Sequence, residues 1–276
     1  MKHEGFEFTC HGHKLFGQSW SADQPRGLVV LVHGMGEHGG RYSSSLVPDL
    51  VSAGFVVFAT DHFGHGHSEG KRGYCPGYEA VLDSVEMTLE LAGKSHPCLP
   101  VFLYGHSMGG NVVLGYTMKR KPAVKGVVST SPFLRMAFEP PAWKMAMGKI
   151  LRNLIPSLTM PSGLNPEHIS RDPREVKKYK EDPLVHEKVS PNFVFPFLKA
   201  GEWILAHPEE MGVPLLLCHG TGDQITSHWA TKALAKQMGK ADLELFEGGY
   251  HELHNDYGKE EMKSRVVQWL EQNLQE

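Results

Sequence analysis

The chain has little that would take it out of water or onto a polyanion. Its longest apolar runs, such as residues 28–32 and 215–218, fall far short of the roughly 20 residues that span a bilayer. Met1 to Phe8 carries Glu4 and Glu7 and no hydrophobic stretch, so no export signal is expected there. Charge of one sign is also scarce: 28 basic against 31 acidic residues leave a net charge of -3, which excludes a basic footprint for nucleic acid. Cys10, Cys75, Cys98 and Cys218 are scattered without paired spacing. That excludes a disulfide framework and points to free thiols in a reducing compartment, hence a cytoplasmic address with peripheral contact at membranes. No repeat or low-complexity stretch interrupts the 276 residues, enough for one large α/β domain with an insertion.

What is present is alternation. Phe6, Phe8 and Cys10, then His11-Gly12-His13 and residues 15–20, predict an antiparallel hairpin opening the chain. Short continuous apolar runs at 28–32, 56–59, 101–104, 127–128 and 215–218 have the character of strands buried on both faces. Helical spacing over 46–53, 78–92 and 108–119 separates them, and a helix at 229–238, a strand at 243–246 and a helix at 259–272 repeat the unit. The expectation is an α/β fold with a mostly parallel sheet and helices on both faces.

The alternation breaks between Pro132 and Pro208, so the predicted division is a core of 1–131 and 209–276 with a cap of 132–208. Inside the cap, Trp143, Met147, Ile150, Leu151 and Leu154 fall on one face of an amphipathic helix, with Lys144, Lys149 and Arg152 on another. Either the apolar face packs on the main domain, or it lines a lipophilic entrance and touches a membrane or micelle surface. On the second expectation these five residues bind substrate.

Gly105-His106-Ser107-Met108-Gly109 follows an apolar strand and opens a helix. Gly-x-Ser-x-Gly in that setting is the nucleophile elbow of an α/β-hydrolase, which makes Ser107 the candidate nucleophile. A serine hydroxyl needs a histidine to take its proton and an acid to orient that histidine. In this fold they follow in the order acid, then histidine, each after a strand. Asp223 and His251 stand at those two places, with His254 as the local rival of His251. The oxyanion requires two backbone donors, assigned to the amides of Met108 and of Met35 in the small-residue loop 33–38.

Seventeen histidines invite a metal reading, above all Asp61-His62-Phe63-Gly64-His65-Gly66-His67. Glycines punctuate this run after a strand, which favours a tight turn whose Asp61 and His62 hold neighbouring loops. No metal and no cofactor is expected.

Together, His33-Gly34-x-Gly36-Glu37-His38-x-x-Arg41-Tyr42, Asp61-His62-x-Gly64-His65-Gly66-x-Ser68-Glu69-Gly70, Gly105-His106-Ser107-Met108-Gly109-Gly110 and Tyr250-His251-Glu252-Leu253-His254-Asn255 resemble the monoacylglycerol lipases and their lysophospholipase-like relatives. Phe63 departs from this pattern where relatives often carry arginine, and so does His67. The resemblance implies a lid-covered serine hydrolase that cleaves a fatty-acid ester of glycerol, with Ser107, Asp223 and His251 as triad and Met35 and Met108 as oxyanion donors. Alternatives are a lysophospholipase, a broad carboxylesterase, or an aminopeptidase holding its ammonium on Glu139, Glu167, Asp172 or Glu175. Outside catalysis, the alternative is a ligand receptor that keeps the fold. The partner in each enzymatic case except the peptidase is a small lipid ester.

Overall fold

The apolar runs form strands because only a sheet covered on both sides buries every residue of such a run. In the computed structural model, which describes residues 1–274, the order is β1 (Lys2–Cys10), β2 (His13–Ser21), β3 (Gly27–Val32), α1 (Val47–Ser52), β4 (Phe55–Thr60), α2 (Tyr78–Ser95), β5 (Val101–His106), α3 (Met108–Arg120) and β6 (Gly126–Thr130). It continues with α4 (Ala142–Leu154), β7 (Met160–Pro161), α5 (Pro173–Glu181), β8 (Lys188–Val189), α6 (Pro191–Ala206), β9 (Leu215–Gly220), α7 (His228–Met238), β10 (Asp242–Phe246) and α8 (Lys259–Leu274).

Eight strands make one sheet in the order β1-β2-β4-β3-β5-β6-β9-β10. From β4 onward along that order every pairing is parallel, while β1 with β2 and β2 with β4 are antiparallel. This is the α/β-hydrolase architecture, with the N-terminal hairpin as its antiparallel edge. One face is filled by side chains of α1 and α8, among them Leu50, Met262 and Trp269. The other is filled from α2, α3, α6 and α7, among them Val81, Val113, Phe197 and Leu234. Among the described residues no helix is long and apolar enough to cross a membrane.

The histidine-rich run is a turn. Asp61 accepts hydrogen bonds from the amides of Gly39 and His67, and the amide of His62 donates to the His33 ring. Phe63 is buried edge-on against His13 of the hairpin, and His67 packs edge-on against Phe16. The two departures from the family pattern therefore tie this turn to the hairpin by ring packing.

The segment between β6 and β9 covers the C-terminal ends of the strands. Its last helix, α6, starts at Pro191, whose missing amide costs nothing at a first helical position, and lays Phe193, Phe197 and Ile204 into the main core. Helix α4 sits on α6 through the side that bears Gly148, where an added Cβ would meet the Phe195 ring at 2.9 Å. None of its residues is buried. Trp143, Met147, Ile150 and Leu154 face solvent, Trp143 at 62% and Leu154 at 72% exposure, and Leu151 is half-buried. The apolar stripe thus does not pack on the main domain.

Candidate active site

Parallel strands deliver the loops at their C-terminal ends to one edge of the sheet, and there the sequence-predicted residues meet. Ser107 follows β5 directly and caps α3 with φ +55° and ψ -115°, a conformation that costs an L-residue about 1–3 kcal/mol. Close packing imposes it. A Cβ on Gly105 would stand 2.2 Å from the Gly109 carbonyl oxygen, and one on Gly109 would stand 2.0 Å from that of Val32. The two glycines let the first turn of α3 press against the end of β3, which leaves the serine hydroxyl aimed outward.

The His251 Nε2 lies 2.9 Å from Ser107 Oγ, and His251 Nδ1 lies 2.7 Å from Asp223 Oδ2. Since the carboxylate can only accept, Nδ1 carries the proton and Nε2 is free to accept from the serine. Asp223 also accepts from the amides of Ile225 and Thr226, from the Thr226 hydroxyl and from His219 Nε2 at 3.1 Å. Burial alone would raise its pKa, but His251 and His219 outweigh that and hold it well below the usual carboxylate range. Burial likewise opposes a charged His251; the Asp223 carboxylate prevails and raises the imidazole above its ordinary value. His254, the rival base, stacks on Tyr42 and bonds neither Ser107 nor Asp223. Burial pushes it down to about 4, so it is a neutral plate packed edge-on against His106.

Met35 and Met108 both line the cavity at Ser107. The Met108 amide is one of the first-turn donors of α3 with no partner within the helix. The preceding loop is held by Glu37, whose Oε1 accepts from the amide of Gly34 at 2.7 Å and from the Tyr42 hydroxyl at 2.8 Å. Glu37 Oε2 accepts from Arg41, which also forks onto both oxygens of Glu252 at 2.6 and 2.8 Å. Glu252 follows His251 directly, so one buried guanidinium ties the loop of His251 to the loop of Met35. Its two carboxylates respond oppositely: burial wins at Glu37 and raises it, whereas Arg41 overcomes burial at Glu252 and lowers it to about 2.

Sequence reasoning missed Glu37, Arg41 and Glu252 as a unit, along with His219 and Thr226 on Asp223. The quoted blocks contained the first three, but nothing in their spacing says that residues 211 apart share an ion pair. His219 had a local signal, four positions before Asp223 at the end of an apolar strand.

The cavity above Ser107 has a volume of about 130 Å³. Phe133, Met136, Leu164, Ile169, Phe193, Val194 and Ile225 form its apolar wall, and Glu37, Asn165, Tyr179 and His186 bring polar groups to it. Trp143, Met147, Ile150, Leu151 and Leu154 are absent from this lining, which corrects the expectation that they bind substrate there. The reason is the seat of α4: the side bearing Gly148 meets α6, with Met145 and Leu151 half-buried there, and Trp143, Met147, Ile150 and Leu154 are turned outward. Glu139, Glu167, Asp172 and Glu175 do not line the cavity either, so none is placed to hold a substrate ammonium.

A family model described as serine aminopeptidase, S33, matches residues 23–258. An uncharacterized abhydrolase domain-containing protein of Dictyostelium discoideum is 34% identical over 91% of this chain, which spans only 27% of that longer protein. Human monoglyceride lipase is 32% identical over 90% of this chain and 83% of its own length. The crystal structure of a monoacylglycerol lipase from Paleococcus ferrophilus matches with a TM-score of 0.87 and 36% identity, covering 94% of this chain and 99% of that one.

Proposed function

The chain belongs to the serine aminopeptidase S33 family, on its monoacylglycerol lipase side, and from that premise we propose that it hydrolyses monoacylglycerols to fatty acid and glycerol through an acyl-enzyme on Ser107. It is a carboxylic ester hydrolase. The observation that carries the proposal is the Asp223–His251–Ser107 relay opening into an apolar cavity. Ser107 Oγ attacks the ester carbonyl while His251 takes its proton, and the tetrahedral oxyanion lies against the amides of Met35 and Met108. His251 returns the proton to the departing glycerol, and water repeats the sequence on the acyl-enzyme.

The cavity is close to the roughly 150 Å³ that admits a benzene-sized guest. It therefore holds the ester and the first carbons, and the rest of a long chain runs out past Phe138, which is half exposed at the mouth. Release of the carboxylic acid, measured across 1-oleoylglycerol, 1-octanoylglycerol, oleoyl-lysophosphatidylcholine and p-nitrophenyl acetate, tests the reading. Both monoacylglycerols are expected to lead in kcat/KM; a lead for the lysophospholipid would move the assignment to a lysophospholipase.

Four free thiols support a cytoplasmic address. The outward stripe of α4 supports transient contact with a lipid surface. Helix α4 carries Lys144, Lys149 and Arg152 and no acidic residue beside its exposed Trp143, Ile150 and Leu154, the composition of an interfacial helix. Trp143→Ser with Ile150→Ser is expected to lower hydrolysis of monoacylglycerol in phosphatidylglycerol vesicles about fivefold or more, by removing apolar area from the interface. Hydrolysis of dissolved p-nitrophenyl acetate should be unaltered, and equal losses on both substrates would argue against surface contact.

A further inference from the structure

The loop that carries Met35 is gripped from two sides, and one of them is the cap. On the core side, the Glu37 carboxylate holds the Gly34 amide and is itself held by Arg41 and Tyr42. On the outer side, the amide of His186 donates to the Gly36 carbonyl at 2.8 Å. The two peptides lie so close that a Cβ on Gly36, whose φ is +80°, would stand 2.5 Å from the His186 carbonyl oxygen. Two more contacts fasten the same stretch of cap. Asp182 Oδ2 lies 3.0 Å from His38 Nε2, with the Asp182 loop closed on itself by the Leu184 amide. The Arg41 guanidinium lies over the Tyr179 ring at 4.8 Å. Met35 thus sits in a turn whose next residue is pinned by the cap and whose preceding residue is pinned by the core.

We infer that the cap arm running from Asp182 to His186 is a positioning element for the oxyanion hole, holding the Met35 amide at the angle the tetrahedral intermediate needs. This rests on the reading of Met35 as an oxyanion donor. The physical argument is one of leverage. A hydrogen bond to an oxyanion demands alignment, and a displacement near 1 Å at a catalytic group costs up to about a hundredfold in rate. A two-residue turn with glycine on both sides of Met35 has no stiffness of its own. Its alignment therefore comes from what grips it. Because the outer grip belongs to the cap, displacement of the cap by an acyl chain or a lipid surface is felt at the oxyanion and not only at the cavity mouth.

The test uses Asp182→Ala, which removes the partner of His38, and His186→Pro, which removes the amide donor to Gly36. Each is assayed on p-nitrophenyl acetate, whose two-carbon acyl group has no chain to seat along the cap, and against a short alkyl trifluoromethyl ketone. That ketone forms a bond from Ser107 Oγ to its carbonyl carbon as the hydroxyl proton passes to His251 Nε2, and leaves the former carbonyl oxygen as an oxyanion in the hole. The expected result is a fall in kcat of about tenfold or more with KM within about twofold. The inhibition constant of the ketone should rise by the same factor as kcat/KM falls. A structural role in acyl binding would instead raise KM for long-chain esters and spare the acetate, and that result overturns the inference. So does Asp182→Ala with wild-type kcat, which decides the matter even if His186→Pro fails to fold. Met35→Pro, which deletes the donor amide just before Gly36 at φ +80°, where a turn with glycine at its second central position takes proline at the first, separates the two readings. If it costs nothing, the oxyanion assignment itself is wrong; if it is slow while the arm variants are fast, only the arm inference falls.

Discussion

Ser107→Ala is expected to leave a folded protein whose ester hydrolysis is reduced about a million-fold, the loss seen when one member of a cooperating triad is deleted. The fold survives because every structural duty of this residue is carried by its backbone. The Ser107 amide donates to Thr130, and its carbonyl accepts from Asn111 and Phe133. Among the described residues the hydroxyl has only His251 as partner. Thermal melting should therefore stay within a few degrees of wild type, while release of p-nitrophenol and labelling by a fluorophosphonate probe both vanish. A variant that still turns over near the wild-type rate would remove Ser107 from the mechanism.

Asp223→Asn is expected to lower kcat about ten-thousandfold, the size of effect found when the orienting acid of a triad loses its charge. Five donors converge on this carboxylate, and an amide can accept from only part of them, so some buried donors lose their partner. The pH profile gives the sign. In the wild-type protein the Asp223 charge overcomes burial and raises His251 above 6.5, and only neutral imidazole accepts the serine proton. Activity should therefore fall on the acid side through a value above 6.5 and hold a plateau at higher pH. In the variant, burial is opposed only by the weaker pull of the Glu252 and Glu37 carboxylates, and the acid limb of the residual rate moves down. An unmoved limb would mean that another group governs it. Stability follows the same pair with opposite signs. The depressed Asp223 contributes stability above its ordinary pKa and loses it as pH falls through the lowered value. The raised His251 contributes below 6.5 and loses it as pH rises through the raised value.

The central sheet was legible because residues such as Val29, Val57, Leu103 and Leu216 are buried whichever way they point, so continuous runs identify the inner strands directly. The triad was legible because the elbow sets a place for each partner, and Asp223 and His251 occupy loops after β9 and β10 where chain order puts them. The cap helix shows where pattern stops informing. Periodicity correctly groups Trp143, Met147, Ile150 and Leu154 on one side, but cannot say whether that side meets protein, substrate or solvent. The deciding residue was Gly148, whose small size lets Phe195 approach and turns the stripe outward. Glu37 and Glu252 escaped for another reason. Each reads as a surface acid by composition, and only the fold brings Arg41 between them.

Helix α6 sets a limit on how modular the cap is. It lies within the inserted segment, yet Phe193, Phe197, Ala200 and Ile204 complete the packing over α3, and Asn111 of α3 donates its side-chain amide to the Phe197 carbonyl. Excision of the whole stretch between β6 and β9 would strip a wall from the main core along with the roof of the cavity. The portable unit, for domain swaps, is the shorter piece around α4, none of whose helical residues is buried. Beyond it, Ile169 accepts from the Glu252 amide and His186 donates to Gly36, so the stretch leading into α6 is tied to the loops of His251 and Met35 and cannot be exchanged without them.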